Sequence, residues 1–367
     1  MTDLTQELPV ALEPPPPPAT SGPISWLRAN LFSSVLNSVL TVLAVAFLGV
    51  TIPPLIRWAF IDAVWTAPNS RACRGAGACW AFIHEKLRFI FFGTFPYEEQ
   101  WRPLLAVVIF IAVILASCDR RLWGRRLALL WLAGLALVGI LMWGAVFGMT
   151  YVPTGWWGGL PLTLILSTVG IACAFPLAIL LALGRRSRLP AVRMICVGYI
   201  ELIRGVPLIT VLFMASVMLP LFLPAGVTID KLLRAQAALI LFAAAYLAEV
   251  VRGGLQAIPK GQTEAADALG LGYWQRTRLI VLPQALAMVI PPLVNTFIGM
   301  FKDTTLVLII GLFDFLNTII ASLNDVNWRG TSVEGYVFAA VIYFCFCFFM
   351  SRYSQMLERE FNKGRRR

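Results

Sequence analysis

The sequence has a single histidine, His84, among 367 residues. Histidine is the usual proton shuttle near neutral pH, and one alone offers no converging catalytic set. Charge is also scarce: 13% of residues are Asp, Glu, Lys or Arg, about half the share of a soluble domain. No G-x-x-x-x-G-K-[ST] run, the backbone cradle for nucleotide phosphates, occurs anywhere. The cysteines show no metal-ligand spacing, and Cys118, Cys173, Cys196, Cys345 and Cys347 sit in or beside apolar runs, as small buried hydrophobes do. The period-two alternation of a membrane β-barrel is missing. So is any basic, aromatic-interleaved soluble domain, which argues against a nucleic-acid partner despite the net charge of +11.

What the chain has is apolar length. It is 59% hydrophobic with a mean hydropathy of +0.79. Eight runs are long enough to cross a bilayer as helices: about 35–56, 102–118, 127–147, 160–183, 205–223, 235–252, 283–303 and 333–351. The predicted class is an all-α polytopic membrane protein with about eight transmembrane helices. TTLVLIIGLFDFL, which follows the seventh run, is too short and broken to count as another crossing. The first 30 residues, with LEPPPPPAT at their centre, read as a disordered or polyproline-like tail. The chain begins acidic with no apolar core before the prolines, unlike a secretory signal.

Basic loops set an orientation. DRRLWGRR follows the second run, GRRSR the fourth, and FNKGRRR lies in the tail 356–367, whereas GMTYVPTGWWGG has no Lys or Arg. The positive-inside rule then puts both termini in the cytoplasm. Segment 57–101 goes outside, since long loops weigh little in that rule. Within it WAFIHEKLRFIFFG reads as an amphipathic helix lying on the outer interface, with His84 as an interfacial polar residue. Cys73 and Cys79 flank a short Gly-rich loop there, where a disulfide or two free thiols both fit.

One polar stretch stands out among the oil: EAADALGLGYWQRTRLIVLP, Glu264–Pro283. Pro259 ends the helix before it. Thr263 can cap a new one, with Glu264 and Asp267 in its first turn. Ala265, Ala266 and Leu269 make a small-residue face, Gly270 and Gly272 bend the chain, and Tyr273–Leu282 is a second helical piece carrying Arg276 and Arg278. A docking element and an amphipathic helix resting on headgroups both fit this pattern.

The stretch resembles the loop signature of ATP-binding-cassette (ABC) importer permeases: Glu-Ala-Ala, three residues, Gly, nine residues, Ile, one residue, Leu-Pro. Glu264, Ala265, Ala266, Gly270, Ile280, Leu282 and Pro283 fill every position. GYIELIRGVPLITVLF (198–213) and LPQALAMVIPPLVNTFIGMFKDTTLVLIIG (282–311) are similar to core spans of the polar amino-acid uptake branch. WLRANLFSSVLNSVL and ACWAFIHEKLRFIFFGTFPYEEQWRP further resemble the long permease of general L-amino-acid uptake systems. One departure is Lys-Asp-Thr-Thr-Leu where many relatives have Lys-Asp-Thr-Ser-Leu; both keep a hydroxyl. The resemblance implies a five-helix permease core over 151–355, a cytoplasmic coupling loop at 253–282, and a three-helix extension over 31–150. It also implies a bacterial inner-membrane location, no cofactor on this chain, and ATP bound by a separate pair of ATP-hydrolysing subunits docked on the loop. A second related permease and an extracytoplasmic substrate-binding protein would complete an importer of L-amino acids.

Ionisable residues inside spans are costly and point to function by default. Glu201 with Arg204, and Glu249 with Arg252, are each three apart on one helical face and can neutralise each other. Lys302 and Asp303 lie about 28 Å along a helix from Pro283, at the middle or outer bilayer. Pro291 and Pro292 free carbonyls on the way. Asn295, Lys302, Asp303 and Thr304 could then line a polar cavity, with Lys302 on a substrate carboxylate and Asp303 on its ammonium; a self-neutralising Lys–Asp pair is the structural alternative. The rival functions are a secondary transporter, against which the lack of internal repetition weighs, a membrane-embedded enzyme, and a non-transporting membrane assembly protein.

Overall fold

The computed structural model describes residues 22–224 and 226–363. All regular structure among them is helical. Most of the tail expected over residues 1–30, and the last four residues of the basic tail, lie outside the described residues. The chain divides into two compact units, Met1–Val64 with Gly75–Ala78, and Trp65–Arg74 with Cys79–Arg367.

The first unit holds α1 (Pro23–Asn30) and α2 (Val35–Ile56). The tail expectation therefore reaches too far: proline in the first turn is compatible with a helix, and α1 begins at Pro23. Ser34 caps α2 by accepting from the Asn37 amide at 3.2 Å. Pro53 and Pro54 remove two amide donors near the end of α2, and the helix widens to a π turn over Arg57–Ile61. Gly77 closes this unit, donating to the Asp62 carbonyl at 2.7 Å, in a spot where any Cβ would collide with the Trp58 carbonyl. No residue of α2 is buried.

The second unit begins with α3 (Ala81–Phe92), α4 (Trp101–Ala116), α5 (Arg125–Trp143) and α6 (Gly159–Arg185). Next come α7 (Pro190–Arg204), α8 (Leu208–Phe213), α9 (Leu219–Leu221) and α10 (Lys231–Gln256). α11 (Lys260–Ala268), α12 (Tyr273–Arg276), α13 (Leu282–Met288) and α14 (Ile290–Asp303) follow, then α15 (Phe315–Leu323) and α16 (Ser332–Lys363). Across both units seven helices are long and apolar enough to cross a membrane. An eighth span arises if α7 and the run Leu208–Leu221 count as one, but they meet at 103°. The fifth apolar run is therefore half of a bent pair: Gly205 and Pro207 stop α7, and a residue before proline disfavours helix. α16 continues into the basic tail, as far as Lys363.

The longest shared face lies between α6 and α10. Ala174, Ala178 and Ala182 recur every fourth residue on α6, and Ala243, Ala244 and Ala248 answer them on α10, all buried. Small residues let the two backbones approach where hydrophobicity gives no drive between helices in lipid. This alanine core continues into α7, α13 and α14 through Ile200, Val281, Ala285 and Leu293. A second, aromatic core gathers Phe82 and Ile90 of α3, Phe110 of α4, Phe301 of α14 and Phe315 of α15.

The amphipathic helix over 81–92 is thus no interfacial helix. Phe82 and Ile90 are fully buried and α3 packs on α6 and α15, while its polar face, His84 included, stays exposed. Its end is locked by Gly93, at φ +61°, against Gly158 and Gly159, where backbones touch and no side chain fits. Cys73 and Cys79 are joined by a disulfide, and the Cys79 amide donates to the buried Glu334 at the start of α16 at 2.9 Å.

Candidate functional site

The Glu264–Pro283 stretch folds as helix, bend, helix. α11 starts at Lys260, directly after Pro259, so Thr263 is not its cap; its hydroxyl donates back to the Lys260 carbonyl at 2.6 Å. Gly270 has φ +71°, and the amides of Gly270 and Leu271 close the helix end onto Asp267 and Ala266 carbonyls at 3.0 and 3.1 Å. Only a residue at ease in the left-handed region fits this turn. Asp267 pairs with Arg276 across the bend, and Gln284 donates to Gln262 at 3.1 Å, tying α13 to α11. The bend is therefore a built corner between two helices.

Its seven motif residues divide by burial. Ala266 is buried, and Ile280 and Leu282 are half-buried, seating the loop on the bundle. Glu264, Ala265, Gly270 and Pro283 are exposed. Glu264 makes no hydrogen bond or ion pair among the described residues. Around it Leu269 is 77% exposed and Trp274 is 68% exposed. Two large apolar side chains standing out beside an unpaired acid form a surface suited to another protein. Motif matching singles out Glu264; Leu269 and Trp274 are found by their exposure.

The second candidate site is α14. Its helix breaks from α13 at Val289, just before Pro291 and Pro292, and the Pro292 carbonyl accepts the Thr296 hydroxyl at 2.9 Å. Asn295 and Lys302, seven residues apart on one face, are exposed, and Asp303 is half-buried. Thr304 does not join them. It is fully buried, donates to the Phe301 carbonyl at 2.9 Å, and faces Asp314 at 3.5 Å. Asp314 caps α15 through the Asn317 amide at 3.0 Å and accepts from the Tyr343 hydroxyl at 3.2 Å. Thr304 therefore leaves the expected four-residue set, because the chain tightens to a 3-10 turn there and rotates it inward, while Asn295, Lys302 and Asp303 stay at the surface of α14.

Glu249 and Arg252 pair as their spacing predicts, but two charge clusters extend beyond such local pairs. Glu201 pairs with Arg185 of α6 at 2.8 Å rather than with Arg204. Arg185 also reaches Glu249 at 3.0 Å, and Arg252 binds the same carboxylate at 2.8 Å, with Arg204 at 3.9 Å. Glu249 is the hub joining α6, α7 and α10 near the coupling loop. Arg102, fully buried, caps the end of α5: its Nε donates to the Leu141 carbonyl at 2.6 Å and Nη1 to Thr150 at 2.9 Å. A cation at a helix C-terminus meets its negative end, and Glu99 at 3.5 Å balances the charge.

Residues 174–363 match the family described as "Binding-protein-dependent transport system inner membrane component". The inner membrane amino-acid ABC transporter permease protein YhdY of Escherichia coli (strain K12) is 53% identical over 361 residues, covering 97% of this chain and 98% of that protein. The glutamate/glutamine/aspartate/asparagine transport system permease protein BztC of Rhodobacter capsulatus is 40% identical over 97% of this chain and 98% of its own length. Among solved structures, an amino acid ABC transporter crystallised with histidines is 30% identical over 55% of this chain and 92% of that chain, with a TM-score of 0.49. With the matched segment spanning most of the α6–α10 alanine core, the Glu264–Pro283 corner and α14, the chain belongs to the inner-membrane permease components of binding-protein-dependent transport systems.

Proposed function

We propose that this chain is the membrane subunit of an ATP-driven importer of L-amino acids, and that Glu264–Pro283 seats on a separate ATP-hydrolysing subunit. The observation that carries the reading is the corner itself: a motif-complete helix–bend–helix that leaves Glu264, Leu269 and Trp274 exposed, with only the neighbouring Tyr273 ring against Trp274. The permeases named above support the amino-acid class. The chain carries no phosphate cradle, so ATP is held by the partner. The basic loops 119–126 and 185–188 support a cytoplasmic placement for both termini and the corner. An extracytoplasmic binding protein would deliver substrate at the opposite end, beside the Cys73–Cys79 loop, and a second related permease would complete the pore.

Within this reading, Lys302 and Asp303 hold the amino acid's carboxylate and ammonium, with Asn295 one face-repeat away on α14. The test is reconstitution of the full complex in vesicles with binding protein and amino acid. Glu264→Lys should abolish uptake and substrate-stimulated ATP hydrolysis while the protein remains inserted. Lys302→Ala and Asp303→Ala should weaken uptake and leave the ATPase bound. Normal coupled transport by Glu264→Lys would overturn the docking assignment, and loss of assembly in both α14 variants would make Lys302–Asp303 a structural pair.

A further inference from the structure

A groove with a volume of about 660 Å³ runs between the N-terminal helices α4 and α5 and the core helices α6, α14 and α16. Its walls are almost wholly apolar, with Ile111, Trp131, Ile171, Phe297 and Phe349 among them. Along α16 the lining extends from Cys345 to Leu357, about 18 Å of helix rise. That is close to one leaflet of hydrocarbon, about 15 Å, and well short of the roughly 30 Å a crossing helix needs. A neighbouring span would have no continuous seat here, whereas the tail of one lipid would.

The deep end is dry and the shallow end is polar. There the Tyr353 hydroxyl donates to the Ser117 carbonyl at 2.9 Å and the Trp131 indole donates to the Ser117 hydroxyl at 3.0 Å. This is the amphipathic aromatic layer typical of a membrane interface. Immediately beyond it lie Arg120, Arg121, Arg125 and Arg126. Arg120 is committed to Glu360 at 2.5 Å, and the Asp119 carboxylate caps its own turn through the Arg121 amide at 2.9 Å. The guanidinium groups of Arg121, Arg125 and Arg126 are exposed and have no ion pair among the described residues. A leaflet-deep apolar slot whose polar end at Ser117 is followed closely along the chain by three exposed arginines without ion pairs among the described residues matches a lipid with an anionic headgroup.

We infer that this groove binds an anionic phospholipid, its tail between α5, α6 and α16 and its phosphate under Arg121, Arg125 and Arg126. The site ties the N-terminal helices to the core that moves in transport. Basic clefts between spans recognise such headgroups by charge, and the apolar slot fixes the position that charge alone would leave free.

The test is native mass spectrometry of the intact transporter complex released from vesicles containing phosphatidylglycerol and phosphatidylethanolamine. The wild-type complex should retain phosphatidylglycerol in preference to phosphatidylethanolamine. Replacing Arg121, Arg125 and Arg126 by Gln should remove that preference, each arginine contributing about fivefold. Ala172→Phe, which fills the groove from α6, should lower retention of both lipids, with the ATPase subunit still bound as the check on folding. Equal retention of both lipids by the wild-type complex would overturn the inference. So would undiminished retention in Ala172→Phe, or photocrosslinking from position 172 to a protein subunit.

Discussion

Arg102 shows how much one side chain can settle. It is the only fully buried arginine among the described residues, and it serves the buried Leu141 and Met142 carbonyls at the end of α5 and the Thr150 carbonyl in the loop beyond. Replacing it by leucine leaves the buried Leu141 carbonyl without its donor and removes the cation beside Glu99, which keeps only the Thr150 hydroxyl at 2.9 Å, a cost of about 1–3 kcal/mol. Arg102→Leu should therefore lower the unfolding temperature of the detergent-solubilised protein by several degrees. Arg102→Lys should recover only part, since one ammonium cannot replace the guanidinium fork. Gly270 gives a graded test of backbone strain instead. A Cβ there meets no atom within 4 Å, so only φ +71° opposes substitution. Gly270→Asn should couple transport nearly normally, Gly270→Ala should lose about 1–2 kcal/mol of local stability, and Gly270→Val should uncouple most. Equal uptake by all three would mean the corner does not depend on the left-handed turn. The role of Arg102 is not visible in sequence, where it only opens the second apolar run and the α5 carbonyls it serves lie 39 and 40 residues away. Gly270 is legible because the motif and the need for a left-handed residue coincide.

Among elements, the long spans are readable because length without charge is enough to mark them. The alanine faces of α6 and α10 follow from spacing of four. The 103° turn between α7 and α8 is not readable as an angle, although Gly205 and Pro207 mark its place. α3 misleads because an amphipathic helix has the same sequence pattern whether its apolar face meets lipid or protein. The partner that covers it, α15, is more than 200 residues downstream. Glu249 binds three elements, so Glu249→Gln should loosen α7 and cost about 1–3 kcal/mol. Hydrogen exchange should rise in Pro190–Arg204 before it rises in α6. At the other end, Lys86 of α3 holds Asp325 at 2.6 Å and its hydrogen bond keeps the Asp325 carboxyl below the usual range. A depressed folded-state value means the contribution is present above the ordinary pKa of about 3.9 and fades as pH falls through the lower folded value. Acid titration followed by exchange in the 324–331 loop should show opening only in that window. Lys86→Met should shift the opening to higher pH.

At the scale of the whole molecule, the second unit carries the Glu264–Pro283 corner next to the ionic hub at Glu249, and the Cys73–Cys79 disulfide tied to the start of α16. Force applied at the corner reaches α10 and α14 through α13, whose Ala285 and Val289 pack into the alanine core. On the proposed docking, that route would carry movement of an ATP-hydrolysing partner into the bundle. The polar face of Asn295 and Lys302 lies on the helix that α13 would drive. On the proposed docking, Leu269 and Trp274 are exposed here because another subunit covers them. The most direct measurement is co-purification of the ATP-hydrolysing subunit with Leu269→Asp/Trp274→Asp, scored against the unaltered chain at equal membrane insertion. Loss of the subunit from the variant, with the bundle still folded, is the predicted result. Full retention of the subunit, with ATP hydrolysis still stimulated by substrate, would contradict the account.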